Sequence, residues 1–249
     1  MRSVDEINPK PAMKGQDLDA DCLLNTLSEL ILPLYEVSRN SLVPFDLKRH
    51  ENDAEHSFSL GMLAICIAPI VDEKLDLGLI SQYALIHDLV EIYAGDTSVY
   101  ADAETRASKR RRERAAHRKL KGQYSSTFPW LITRLDEYVA RLTPESKFVY
   151  ALDKLLPHAM VIIADHHHVK PDWNTYRKTE DSAKKKIATS YPYLTAVFDE
   201  LCWRYALRPH LFSTPPDAAT VRLALMRSTD ALARASTISS RNHNSGISE

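Results

Sequence analysis

Glycine is scarce in this chain, at 6 residues of 249, where an average protein carries about 7%. So little glycine leaves few residues for the tight turns of sandwiches and barrels, and an all-α fold is expected. Cysteine is scarce as well. Cys22, Cys66 and Cys202 are odd in number and far apart, which argues against a disulfide framework, and without a CxxC pair no zinc ribbon is suggested. The three are expected as reduced thiols in a cytoplasmic setting. Neither sign of charge dominates. The formal net charge is -1 with histidine neutral, so bulk charge gives no reason to expect nucleic acid. Long apolar runs are missing too. The longest, Gly61 to Val71, falls short of the roughly 20 residues that span a bilayer, so no membrane is expected. Residues 1–15 are polar with prolines at 9 and 11; they carry no secretory core and are expected to be disordered.

What the chain does have is 44% hydrophobic residues, enough for a sizeable core, arranged at helical spacing. A first helix is expected from Leu18 to Glu36, with Pro33 kinking its end. Ser41 to Asn52 reads as a loop, and strand signals are absent. An apolar helix follows from about Glu55 to Asp72, then another from Leu79 to Ala94 that Gly95 terminates. Residues 103–121 read as a strongly basic helix with a solvated face, or alternatively as a basic rim that attracts phosphate-bearing ligands. Helices are expected over Phe128 to Leu142 and from Pro144 onward, with proline at the favoured first position. Residues 165–177 read as a loop, and Lys178 to Tyr205 as a helix broken near Pro192. The expected division is a main domain at 16–212, a C-terminal helix at 213–235 after Pro215-Pro216, and a polar tail at 236–249.

The chemistry concentrates in Ile86-His87-Asp88-Leu89-Val90-Glu91. An imidazole beside a carboxylate in an apolar helix needs a partner, because burying an unpaired charge costs several kcal/mol. A divalent metal is the common partner for that pair. Glu91 follows His87 by one helical turn and faces the same way. His56 and Asp153 are polar residues within two other apolar helices. A helical bundle builds such sites from inward-facing side chains, so the ligand set His56, His87, Asp88 and Asp153 is expected. Mixed imidazole and carboxylate donors suit Mn, Co, Fe or Zn better than Ca.

Three segments carry a resemblance. They are Arg49-His50-Glu51-Asn52-Asp53-Ala54-Glu55-His56-Ser57, His87-Asp88-Leu89-Val90-Glu91-Ile92-Tyr93-Ala94-Gly95-Asp96-Thr97, and Ala151-Leu152-Asp153-Lys154-Leu155. From about Leu30 to Tyr205 the chain resembles the HD-domain metal-dependent phosphohydrolases, and within them the 5′-deoxynucleotidase branch. The resemblance implies an all-α bundle, often a homodimer, with one divalent metal (Co, Mn, Fe, Zn or Mg). It implies that His56, His87, Asp88 and Asp153 are the metal ligands, that Glu91 is the catalytic glutamate, and that Asp96 is an active-site aspartate. The Arg-Trp pair that the branch carries before its first metal histidine has its nearest match in Arg39-Asn40, without the tryptophan.

The expected reaction is removal of phosphate from a nucleoside 5′-monophosphate by a metal-bound water, which a divalent ion makes available near neutral pH. Glu91 would orient or deprotonate that water. Asp96 would protonate the leaving alkoxide or hold the sugar. Arg49 and Arg39 would clamp phosphate oxygens, which a planar guanidinium grips in pairs. Lys154 turns about 100° away from Asp153 on a helix and ranks below them. Glu55 reads as a helix-start or outer residue. His166-His167-His168 reads as surface or hydrogen-bonded histidine, because a tripeptide cannot easily aim three imidazoles at one ion. Two other functions compete. An alarmone-type pyrophosphohydrolase would carry a second acid where Ile92 stands. A regulatory protein that binds nucleic acid through the basic helix would hold only a structural metal.

Overall fold

The computed structural model describes residues 19–228, and the expectations for 1–15 and 236–249 lie outside them. Eleven helices and one hairpin are defined within that range. α1 (Ala20–Asn25) runs through a π turn at Thr26–Ile31 into α2 (Pro33–Glu36). The first helix is therefore more broken than its periodicity suggests. Pro33 cannot donate, and just before it the Leu32 N–H reaches back five residues to Leu27 O at 2.8 Å.

Ser41 to Asn52 is not a loop. It belongs to an antiparallel hairpin, β1 (Ser38–Val43) with β2 (Asp46–Asn52), pairing Leu42 with His50 and Ser38 with Asn52. Its register is irregular and its only buried apolar side chain is Leu42. Such a ribbon has no apolar alternation to read, which is why the sequence hides it.

α3 (Asp53–Val71) starts at a capping box. Asn52 Oδ1 accepts from the Glu55 N–H, and Glu55 Oε2 accepts from the Asn52 N–H. This satisfies two donors that the first turn would otherwise leave open. At 19 residues α3 is long and apolar enough, by length and composition, to cross a bilayer. Here one face is core (Leu60, Ala64, Ala68), while Phe58, Met62 and Ile70 are exposed on the other.

The helix expected over Leu79 to Ala94 is two pieces, α4 (Leu77–Ile86) and α5 (Glu91–Ala94), joined by a turn at His87–Val90. The cause is local. His87 Nδ1 takes Ala84 O at 2.9 Å, the carbonyl that an unbroken helix would give to the Asp88 N–H. The chain tightens instead, with Glu91 N bonded to Asp88 O at 2.8 Å. Gly95, at φ 69°, ends α5.

The remaining helices are α6 (Ala103–Tyr124), α7 (Pro129–Ala140), α8 (Pro144–Ala164), α9 (Trp173–Ser190), α10 (Thr195–Ala206) and α11, which runs from residue 218. α8 carries Pro144 in its first turn and a Thr143–Ser146 capping box. Asp172 caps α9, so that helix begins about five residues earlier than its periodicity indicates.

The main core joins α3, α4, α8, α9 and α10 through Leu60, Ile80, Phe148, Leu152, Ile187 and Phe198. A second cluster joins α2, the 87–90 turn, α6 and α7 through Leu34, Leu89, Leu120 and Leu135. The His87–Val90 turn lies between the two. The all-α expectation holds, with the hairpin as its one exception among the described residues.

Candidate active site

Three helices deliver the four expected ligands to one place. His56 sits one turn into α3, His87 and Asp88 in the turn after α4, and Asp153 midway along α8. His56 Nε2 lies 3.0 Å from Asp153 Oδ1, His87 Nε2 3.7 Å from the same oxygen, and His87 Nε2 3.0 Å from Asp88 Oδ2. Donor atoms of His56, His87 and Asp88 all fall within 4.8 Å of one another.

The imidazoles are oriented for this. With His87 Nδ1 spent on Ala84 O, Nε2 is left facing the acids; it is buried and, though at ion-pair distance from Asp88, makes no well-directed hydrogen bond. His56 Nδ1 faces Glu51 Oε2 at 3.6 Å, the carboxylate–imidazole pairing that aims a metal-binding ring. Burial alone would lower the His87 pKa, but Asp88 and Asp153 outweigh it and raise it to about 10. Burial opposes ionisation of Asp153 as well, yet Lys154 and the two histidines hold it well below the carboxylate range. So much negative charge, closed around a ring nitrogen without a well-directed hydrogen bond, fits a divalent cation.

Glu91 is 4% exposed. Its Oε2 has no hydrogen-bond partner, and its Oε1 lies 3.6 Å from Lys109 Nζ. Burial, then Asp88 and Asp96, push its pKa up to about 9. Cationic charge brought beside it would pull that value back down. Glu91 and Asp96 line an open cleft of about 620 Å³ walled by Leu32, Pro33 and Val37. That is within the size range of small-molecule sites.

The two arginines separate. Arg39, on β1, enters the site, where its NH1 donates to Asp53 Oδ1 at 2.9 Å and to Asp88 Oδ2 at 2.8 Å. Arg49 points elsewhere. Both of its terminal nitrogens bond Glu55 at 2.8 Å, and its side chain is 48% exposed. Lys154 contradicts the helical-wheel argument, because its flexible stem curls back and places Nζ 2.6 Å from Asp153 Oδ2.

Several residues of this site were not singled out from the sequence. Asp53 is fully buried beside Asp88 and Glu91, and burial, then Asp88, raises its pKa to about 6. An acid in a first turn is ordinary, so nothing marked it beyond its position three residues before His56. Glu51 stood in the quoted motif without a role. Lys109 belongs to a basic run most of whose members face solvent. Arg112, on the same face of α6, binds Ala94 O at 3.2 Å, Thr97 Oγ1 at 2.6 Å and, more closely, Ser108 Oγ. It fixes the segment that carries Asp96.

The histidine run divides. His167 is buried with its ring 5.7 Å from Tyr100, His168 sits edge-on to His50 at 4.3 Å, and His166 is exposed. No metal-holding group among the described residues includes them.

A helical bundle that closes a His, a His-Asp pair and an Asp around one point defines a class, and the comparisons agree with it. The HD-domain family model matches residues 33–195, and the chain belongs to that family. It is similar to 5′-deoxynucleotidase HDDC2 of Danio rerio, 32% identical over 128 residues, which are 51% of this chain and 62% of that protein. The chain thus spans less than two thirds of that relative's length. The Xenopus laevis protein of the same name is 28% identical over 144 residues, 57% of this chain and 70% of its own. A crystal structure of a predicted metal-dependent phosphohydrolase from Magnetospirillum magnetotacticum superposes with a TM-score of 0.64 at 29% identity. It covers 78% of this chain and 94% of the other.

Proposed function

We propose that this protein is a metal-dependent phosphohydrolase that removes phosphate from nucleoside 5′-monophosphates, deoxynucleotides among them. The observation that carries the reading is the buried His87 Nε2, without a well-directed hydrogen bond, among three converging ligands, with Glu91 close by and unspent. A structural metal has no need of a second buried carboxylate opening on a cleft. The names of the relatives support a nucleotide as substrate.

His56, His87, Asp88 and Asp153 would hold one divalent ion, which when bound supplies Lewis-acid charge for the phosphate and a more acidic water. The chain's own groups do the rest. Glu91 takes the proton of the attacking water through Oε2, the oxygen left free by Lys109. The water oxygen bonds to phosphorus as the P–O5′ bond breaks. Asp96, at the cleft, gives the departing 5′-oxygen its proton or holds the sugar. Arg39 orients Asp88 through its NH1. Arg49 has no part in this scheme while it is tied to Glu55. The exposed Phe58, Met62 and Ile70 on α3 suit pairing with a second copy.

The test is phosphate release from a panel of nucleotides with added metals. Wild type releases phosphate, and Glu91→Gln, at equal metal content, loses about 100-fold or more of kcat, as removal of a general base does. Equal rates in the two proteins would end the role given to Glu91.

A further inference from the structure

The geometry points to Lys109 as the residue that grips the phosphate group itself, and so as a binder of free inorganic phosphate, the product. This rests on the phosphohydrolase reading. The cations around the site are otherwise committed. Arg39 is shared between Asp53 and Asp88, with Glu51 at 3.6 Å from its Nε. Lys154 lies on Asp153. Arg112 is spent on backbone carbonyls and hydroxyls, and Arg49 on Glu55.

Lys109 differs. Its ammonium sits 3.6 Å from Glu91 Oε1 and 3.4 Å from Glu113 Oε1. Both are ion-pair distances looser than a good hydrogen bond, which leaves the ammonium an N–H to turn toward a ligand. The side chain is 34% exposed, open to a ligand yet partly desolvated. It shares a helical face with Arg112, three residues on, and Arg112 bolts that face to the 94–97 segment. The ammonium lies beside Glu91, which itself lines the cleft. A phosphate monoester dianion entering there meets two nearby carboxylates, Glu91 and Asp96, and needs a cation beyond the metal. Lys109 supplies it as a compact point charge with three donors.

The experiment measures equilibrium binding of inorganic phosphate to the purified, metal-loaded protein by calorimetry, with no turnover involved. Lys109→Gln is expected to weaken binding about tenfold or more, the effect of losing one charge-assisted hydrogen bond. Lys109→Arg is expected to restore most of it. Arg110→Gln removes the same charge from the exposed side of α6 and is expected to leave binding unchanged. Metal content and melting temperature should match wild type in all three. Unchanged affinity in Lys109→Gln, an equal loss in Arg110→Gln, or no phosphate binding by wild type overturns the assignment. Nucleotide hydrolysis is scored separately. A wild type that binds phosphate through Lys109 but hydrolyses no nucleotide keeps this inference and sinks the substrate reading.

Discussion

At His87 the two ring nitrogens are divided between fold and site. Nδ1 breaks the helix by taking Ala84 O, and the same bond leaves Nε2 facing Asp88 and Asp153. A comparable division at His56 depends on Glu51. Glu51→Gln is therefore expected to weaken metal affinity by about 10–100-fold without unfolding the protein, the usual effect of losing an outer partner. Metal titration followed by mass spectrometry checks it. Another buried acid takes no part in this chemistry. Glu180 is 2% exposed. It accepts from the Cys202 thiol at 2.9 Å, and its Oε1 lies 3.4 Å from His158 Nε2. Burial raises its pKa from 4.5 to about 7. The folded state thus keeps a proton that the unfolded chain releases. Its contribution is full below about pH 4.5 and fades as pH rises to about 7. Glu180→Gln cannot ionise, so its stability relative to wild type should rise by about 1–3 kcal/mol between pH 5 and pH 8. Urea melts at the two pH values read this directly, and a pH-independent difference would refute it.

Among the elements, α3 and α6 do the most to place side chains. The Asn52 cap fixes where α3 begins and so the position of His56, one turn in. Asn52→Ala should cost about 1 kcal/mol in a urea melt. α6 is tied down by Arg112, and Arg112→Ala should free the segment carrying Asp96. The expected result is a fall in kcat/KM with metal content intact, measured on the nucleotide that wild type hydrolyses best. The helices were legible because their apolar residues recur at helical spacing and their starts carry proline or capping side chains. The proposed metal ligands stood out as polar residues within apolar helices. The hairpin was not legible, because its strands bury almost nothing. The break at His87 was hidden as well, since it depends on a ring nitrogen competing for one carbonyl. Lys109 stood only as one of a basic run, and Lys154 was weighed and ranked low, for a third reason. Long flexible side chains reach where a helical wheel says they do not.

For the whole molecule, the site is a meeting of two cores, and charge gathers there at a cost. Asp53, Asp88, Glu91 and Asp153 bring four carboxylates to the site beside Arg39, Lys109 and Lys154, and a cation that binds only the folded chain should stabilise the fold by mass action. The melting temperature should fall on chelation and recover when metal is returned. The apolar stripe on α3 carries a separate expectation. If it pairs with a second copy, Phe58→Asp with Ile70→Asp should convert a dimer to a monomer in light scattering, while a monomeric wild type would refute the pairing. The central claim is that four distant side chains hold one ion, and metal stoichiometry with affinity tests it most directly. Wild type and Glu91→Gln should each bind one divalent ion per chain. His56→Ala, His87→Ala, Asp88→Asn and Asp153→Asn should each lose more than the roughly 10–100-fold that an outer partner costs. Wild-type affinity in any one of those four, with the fold intact, would contradict the account.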